Sequence, residues 1–430
     1  MSTAITGSLH DSPNGIIASY LKRTRRSAEI YARACKLMPG GTSRQASFWE
    51  PYPLTIDRGK GARFHDIDGH SYLDLINNYT AMVHGHAYPA IVAATQQQIA
   101  KGTAWAAANE PQNRLAELIV DRIPAIEQVR FTNSGSEAGA LAFTIARLIT
   151  GRTKLLMARY GYHGSPLEFE VGSFGKEGPV THLATYNDVS DFEAVLDQHG
   201  HDIAAVFLEP VLGASGIIEG NPDFLHGVRA AAHKAGALFV LDEVLTLRFN
   251  SGGCQTVIGI EPDLTMLGKI IGGGFPVGAV GGRADMLHVF DPSDLQVFHT
   301  GTFNANPVTM LAGEVSLREL TPDRIAQMDR QCKTLQSGLI AAASRHGLPF
   351  STNRYGSCLN IYFSQSAPES SVLREDEMLM NNFHLACINH GLFIAHRGLI
   401  AMSTVTSDED ITEAIELADM AMRDVAAEIT

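Results

Sequence analysis

The 430 residues exceed what one hydrophobic core fills, since single cores stop growing at about 250 to 300 residues, so two domains are expected. Apolar residues make up 45% and charged residues 18%, as in ordinary globular proteins, and 33 Lys plus Arg against 46 Asp plus Glu leave a net charge of −13 that argues against nucleic acid or an anionic membrane as partner. The five scattered cysteines (Cys35, Cys254, Cys332, Cys358, Cys387) form no C-x-x-C pair, no secretion signal is read in the first residues and no apolar run reaches a membrane-spanning length; a cytoplasmic protein without a metal site is expected.

In chain order, residues 1 to about 15 read as an irregular lead and Ile16 to Leu37 as one amphipathic helix, ended by Pro39-Gly40-Gly41. Asp57-Arg58-Gly59 and Asp66-Ile67-Asp68-Gly69 read as hairpin turns. From about Pro89 to Leu320, short apolar strands alternate with helices, the pattern of an α/β sheet covered on both faces. The strands are expected at Val129–Thr132, Lys154–Ala158, Ala204–Leu208, Leu238–Leu241, Leu264–Leu267 and Val277–Val280, with helices such as Ala138–Ile149 and Phe224–Ala235 between them. The remainder reads as a smaller α+β domain, with helices at Pro322–His346, at Glu375–Asn389 and after Asp408, and strands near Leu359–Phe363 and Phe393–Met402.

Chemistry is expected at the strand C-termini. Gly268-Lys269 ends an apolar strand and leads into a glycine-rich stretch; a buried lysine there has a depressed pKa and can attack a carbonyl to form a Schiff base, whereas a lysine that snorkels to the surface does no chemistry. Asn133-Ser134-Gly135-Ser136-Glu137-Ala138 turns a strand into a helix, which makes either a phosphate site or a plain N-cap. Neither a P-loop at Lys269 nor G-x-G-x-x-G from Gly272 fits the residues. Asp242-Glu243-Val244 offers a carboxylate for a protonated ring nitrogen, or a helix cap, and Tyr162-His163-Gly164 an aromatic face for a flat ligand, or core. His84-Gly85-His86 lacks further ligands at useful spacing and reads as a structural turn.

These motifs, with Glu209-Pro210 and Gly301-Thr302-Phe303-Asn304-Ala305-Asn306-Pro307, stand in an order that resembles the class-III aminotransferases of pyridoxal-phosphate fold type I, over nearly the whole chain. The resemblance implies a large cofactor domain with a mostly parallel central sheet (76–320), a small α+β domain (321–430) and an N-terminal segment (1–75) that joins the small domain. It implies that Lys269 holds pyridoxal phosphate as a Schiff base and moves the substrate proton. Asp242 would pair with the pyridinium, Val244 and Tyr162 pack its faces, and His163 belong to the same cofactor site. Ser134, Gly135 and Ser136 would cradle the phosphate, with Gly301 and Thr302 reaching it from the neighbouring subunit of a homodimer.

Pro39-Gly40-Gly41 and Gly85-His86-Ala87-Tyr88-Pro89 are similar to the glutamate-1-semialdehyde aminomutase branch. Arg44 and Arg397 instead resemble the arginines of aromatic β-amino acid aminotransferases, whose planar forks suit a substrate carboxylate; a surface ion pair is the plainer role. Ala214 stands where many class-III enzymes place an acid that restrains the substrate arginine, and Leu247 where a glycine is usual. The expectation is amino transfer between a β-amino acid or related amine and a 2-oxo acid such as 2-oxoglutarate or pyruvate. An aminomutase or a general ω-amine transaminase is the alternative.

Overall fold

A computed structural model describes residues 15–370 and 377–429. The expected irregular lead and the expected helix start at Glu375 thus fall largely or wholly outside the described residues. A seven-stranded sheet has the order 128–132, 278–282, 264–268, 238–242, 203–208, 154–158, 181–184. Only Gly278–Gly282 runs against its neighbours. The strand Leu238–Asp242 shows why the sheet is sandwiched: Leu238 and Val240 enter one apolar cluster with Phe143 and Met266, while Phe239 and Leu241 enter another with Phe192 and Phe224. Side chains alternate along a strand, so a run that is apolar throughout needs a core on each face.

The edge strand Thr181–Ala184 escaped the sequence reading because its Thr-His-Leu-Ala carries too few apolar residues to signal burial. Ser351–Tyr355, partly buried along its whole length, escaped for the same reason.

The segment Ile56–Lys60, Arg63–Asp66 and Ser71–Asp74 forms a four-stranded sheet with Leu392–Phe393 from the other end of the chain. Asp57-Arg58-Gly59 is therefore strand, not the expected turn; the chain reverses at Gly61-Ala62, where Gly61 has φ +60°. The Asp66–Gly69 turn lies between strands as expected.

The first helix is two, Ile16–Arg23 and Arg25–Ala34. The break falls at buried Thr24, whose hydroxyl bonds the Tyr20 carbonyl at 2.7 Å, and the second helix starts where the Asp68 carboxylate accepts from Arg26 N and Ser27 N. Hydrophobic spacing could not reveal a capping acid more than forty residues away. The helices Pro322–Arg345, Glu377–His390 and Asp408–Ile429 complete the smaller part with the sheet of Ser351–Tyr355, Cys358–Tyr362 and Leu399–Ala401. Among the described residues, no helix is long and apolar enough to cross a membrane.

Candidate active site

The strands Leu238–Asp242 and Leu264–Gly268 run parallel with Asp242 beside Met266, so Asp242 and Lys269 emerge at the same edge of the sheet. Asp242 is 4% exposed; its Oδ2 lies 2.9 Å from His163 Nδ1 and its Oδ1 accepts from Val244 N at 2.9 Å. A carboxylate has acceptor capacity beyond these two bonds.

The neighbouring acid has another task. Glu243 is fully buried and accepts from Thr246 Oγ1, from Cys254 N at 3.1 Å and from Gln255 N at 2.7 Å, so it caps the short helix Gly253–Ile258; burial pushes its pKa up. Of the two acids in the motif, Asp242 is the one at the site.

Lys269 follows Gly268 with φ +49°, a left-handed conformation unusual for a residue with a side chain and worth about 1–3 kcal/mol of strain. No side chain among the described residues forms an ion pair with its ammonium. Burial lowers its pKa, while Asp242 and then Glu209 act in the opposite direction. Glu209 accepts from Tyr162 N and Gly213 N, both at 3.0 Å, and its carboxyl pKa is raised by burial first and by the nearby Asp242 charge second. Only the Glu209-Pro210 dipeptide marked this acid in the sequence.

Ser134 caps the helix Gly135–Thr150 by accepting from Glu137 N at 3.1 Å. The Gly135 and Ser136 N–H groups, at the positive end of the helix, make no hydrogen bond among the described residues. Glycine at 278 is required here, since a Cβ would overlap the Ser134 carbonyl. Asn304 Oδ1 accepts from Asn133 Nδ2 at 2.6 Å, which ties Asn304 to the residue that follows the strand Gln128–Thr132; Thr302 is exposed. Tyr162 is 47% exposed, whereas His163 is buried behind Asp242 with Nε2 unpaired, so it orients the carboxylate rather than lining the open site.

Arg44 and Arg397 converge on one side chain. Their guanidinium carbons lie 5.7 and 5.4 Å from the centroid of the Tyr79 ring, close enough for cation–π attraction. Arg44 is exposed and donates from Nη1 to Asn78 Oδ1 at 2.7 Å. Arg397 has its pKa lowered by burial, against Tyr79, Tyr162 and Glu209.

Tyr79 sits in an unusual turn: Asn77, Asn78, Tyr79 and Thr80 all have positive φ, from 50 to 74°. Asp74 Oδ1 accepts from Ile76 N and Asn77 N, Asn77 Nδ2 donates to Ala401 O, and Arg248 Nη1 donates to Thr80 O at 3.2 Å. Arg248 itself is fully buried and also bonds Ser357 Oγ and Met402 O, fastening the chain just beyond Asp242 to the small-domain sheet and to the Tyr79 turn. Sequence reasoning missed this role; consecutive asparagines, which tolerate left-handed geometry, were the available signal.

His84 and His86 do not converge on a metal. His84 bonds Thr404 Oγ1 and Ser316 O, each at 2.8 Å, and burial pushes its pKa down to about 4; His86 faces Asp74 at 2.7 Å. Among the described residues no group of three His, Cys, Asp or Glu side chains is arranged to hold a metal ion.

The family model described as "Aminotransferase class-III" matches residues 45–422. The chain belongs to the class-III aminotransferases. This aminotransferase is 41% identical over 392 residues to the β-phenylalanine transaminase of Variovorax paradoxus, covering 90% of each chain. It is 36% identical over 437 residues to a glutamate-1-semialdehyde 2,1-aminomutase of Bacillus cereus, covering 95% of this chain and 100% of the relative. The solved structure of an ω-transaminase from Sphaerobacter thermophilus superposes with a TM-score of 0.89 at 35% identity, over 97% of this chain and 100% of that one.

The cofactor of class-III aminotransferases is pyridoxal phosphate, and the residues here fit it. Two unbonded N–H groups at a helix start suit a phosphate, and the buried Asp242 suits a protonated ring nitrogen. Val244 packs close to both Gly135 and Gly268, where a Cβ on either glycine would come 3.2 Å from its Cγ1.

Proposed function

We propose that this aminotransferase moves the amino group of a β-amino acid, of the aromatic type, or of a related amine to a 2-oxo acid such as 2-oxoglutarate or pyruvate. The observation that carries this reading is the pair Arg44 and Arg397 on one tyrosine ring, two carboxylate-binding forks at a single place. A donor whose carboxylate lies one carbon beyond the amino-bearing carbon and an acceptor whose carboxylate lies next to it need different anchor points. Two arginines sharing one platform supply both. The similarity to a β-phenylalanine transaminase supports the same donor class.

Ser134, Gly135 and Ser136 hold the cofactor phosphate, Asp242 its ring nitrogen, and Val244 and Tyr162 its faces. His163 fixes Asp242 from behind. Bound there, pyridoxal phosphate supplies the sink for the electron pair left when a proton leaves the substrate carbon. The lowered pKa of Lys269 makes its neutral amine accessible, first as the attachment point and then as the base that takes and returns that proton. Glu209 and the Tyr162 backbone keep one wall of the site in place.

The working form is a cytoplasmic homodimer with shared sites, Gly301 and Thr302 serving the partner's phosphate. Phe298 and Phe303, 81% and 61% exposed around that loop, are apolar surface that a partner would cover. The division into 1–75, 76–320 and 321–430 fits this reading, since the first segment shares its sheet with Leu392–Phe393.

Product analysis tests the proposal. 3-Amino-3-phenylpropanoate with 2-oxoglutarate should yield glutamate, with no turnover when the oxo acid is left out. The similarity to an aminomutase makes the intramolecular reaction the second reading, and isomerisation of an amino-aldehyde with no acceptor present would replace the first. Turnover of simple amines without a carboxylate, at the rate of the β-amino acid, would point to a general ω-amine transaminase.

A further inference from the structure

Arg44 and Arg397 come from opposite ends of the chain and meet at the ring of Tyr79. Two cations brought to one place repel each other, and the negative face of an aromatic ring attracts both. An acid in that position would attract them too, but it would compete with a substrate carboxylate; a ring does not. A guanidinium drawn to a ring has already lost rotamer freedom while keeping N–H groups for a carboxylate, so binding gives up less. The platform itself is held. Tyr79 packs against the apolar cluster of Ile76, Val211, Ala395 and Ala401 and sits in the left-handed turn that Arg248 braces at Thr80 O.

The Tyr79 hydroxyl has a separate partner. It donates to the carbonyl oxygen of Ala46, in the turn Gln45–Ser47 that directly follows Arg44. Burial pushes the phenol pKa up, against Arg397 and then Arg44, so at neutral pH the hydroxyl is a donor. With the bond from Arg44 Nη1 to Asn78 Oδ1, the loop that carries Arg44 is tied to the turn 77–80 at two points. Arg397 stands on another segment, and its contact with Tyr79 is through the ring.

We propose that Tyr79 positions both carboxylate-binding arginines, its ring holding the two guanidinium groups and its hydroxyl holding the Arg44 loop. The two parts of one side chain are separable: loss of the ring weakens both anchors, and loss of the hydroxyl weakens the Arg44 anchor alone. Tyr79 acts through the arginines and not on the reacting atoms, so its effects fall on KM and leave kcat. That the arginines bind substrate carboxylates rests on the proposed function; that Tyr79 positions them does not.

The test uses the holoenzyme with Tyr79→Phe, which keeps the ring and removes the hydroxyl, and with Tyr79→Asn, which removes the ring and suits the φ of +54°; Tyr79→Phe is also combined with Arg44→Ala. Calorimetric binding of 3-phenylpropanoate and of glutarate reads the anchors without turnover, and KM and kcat for 3-amino-3-phenylpropanoate and 2-oxoglutarate read them with it. Tyr79→Asn should weaken both probes and raise both KM values by at least about threefold, the effect of one cation–π contact at a partly exposed site, with kcat within about twofold. Tyr79→Phe should weaken only what Arg44→Ala weakens, by about twofold to fivefold, and should add nothing once Arg44→Ala is present. Unchanged binding in Tyr79→Asn, or a fall in kcat with KM held, overturns the positioning role; a Tyr79→Phe effect that persists beside Arg44→Ala overturns the part given to the hydroxyl. If Tyr79→Asn does not fold, Tyr79→Leu takes its place. A parent protein that binds the probes no better than Arg44→Ala and Arg397→Ala do overturns the anchors and the proposal together. One that binds the probes but transfers no amino group from 3-amino-3-phenylpropanoate overturns the β-amino acid reading and leaves the role of Tyr79 standing.

Discussion

At the proposed cofactor end of the site, Asp242, Lys269 and the Ser134 cap stand on ends of strands in one seven-stranded sheet, whereas at the proposed substrate end Arg44, Tyr79 and Arg397 come from three loops far apart in sequence. The first end is fixed by backbone pairing and buried hydrogen bonds. The second is fixed by a left-handed turn that Arg248 and Asp74 hold in place. On the proposed reading the difference suits the chemistry: proton-moving groups need one geometry, while carboxylate-binding groups would serve two substrates in turn.

The comparison is broken most severely at Lys269. Lys269→Ala should lower turnover by about 10³-fold or more, since it removes both attachment point and proton carrier. Full activity in steady-state assays of that variant would remove the mechanism. Asp242→Asn keeps the shape and deletes the charge, so turnover should fall about 10²-fold while the protein still folds; a variant as fast as the parent would show that the carboxylate is scaffold only.

At the substrate end the effects should be smaller and should fall on KM. Arg397→Ala removes charge-assisted bonds worth about 1.5–3 kcal/mol, so KM for the carboxylate substrates should rise about 10- to 100-fold. The exposed Arg44 is screened by solvent, and Arg44→Ala should cost under about tenfold. Reversal of that order would show that Arg44 is the principal anchor.

The smallest effect at neutral pH belongs to His384. Its folded pKa of about 3 lies below the ordinary 6.5, so between these values the unfolded chain binds more protons. Stability is complete above pH 6.5 and falls as the pH drops toward 3, with a slope of at most about 1.4 kcal/mol per unit from this group. His84 acts in the same direction down to about pH 4. His384→Phe should flatten the acid limb of a Tm-against-pH curve, and an unchanged limb would contradict the buried neutral ring.

The cofactor end was legible in the sequence because local rules govern it. An apolar run ending in Gly268-Lys269, or Ser134 three residues before Glu137, is a signal confined to a few positions, and the six strands expected for the central sheet all form there. The substrate end was legible only in part. Arg44 and Arg397 stood out by resemblance, but nothing local announces that Tyr79 joins them, because the turn depends on Arg248, Asp74 and Ala401 from elsewhere in the chain. The break at Thr24 and the strand through Asp57 were hidden for the same reason: distant partners decide them.

The most direct measurement follows the cofactor absorbance of the purified protein through both half-reactions. Adding 3-amino-3-phenylpropanoate alone should abolish the parent band, and adding 2-oxoglutarate should restore it, with both steps slowed in Arg397→Ala. A band that ignores this donor yet responds to an amino-aldehyde or a simple amine would contradict the β-amino acid assignment.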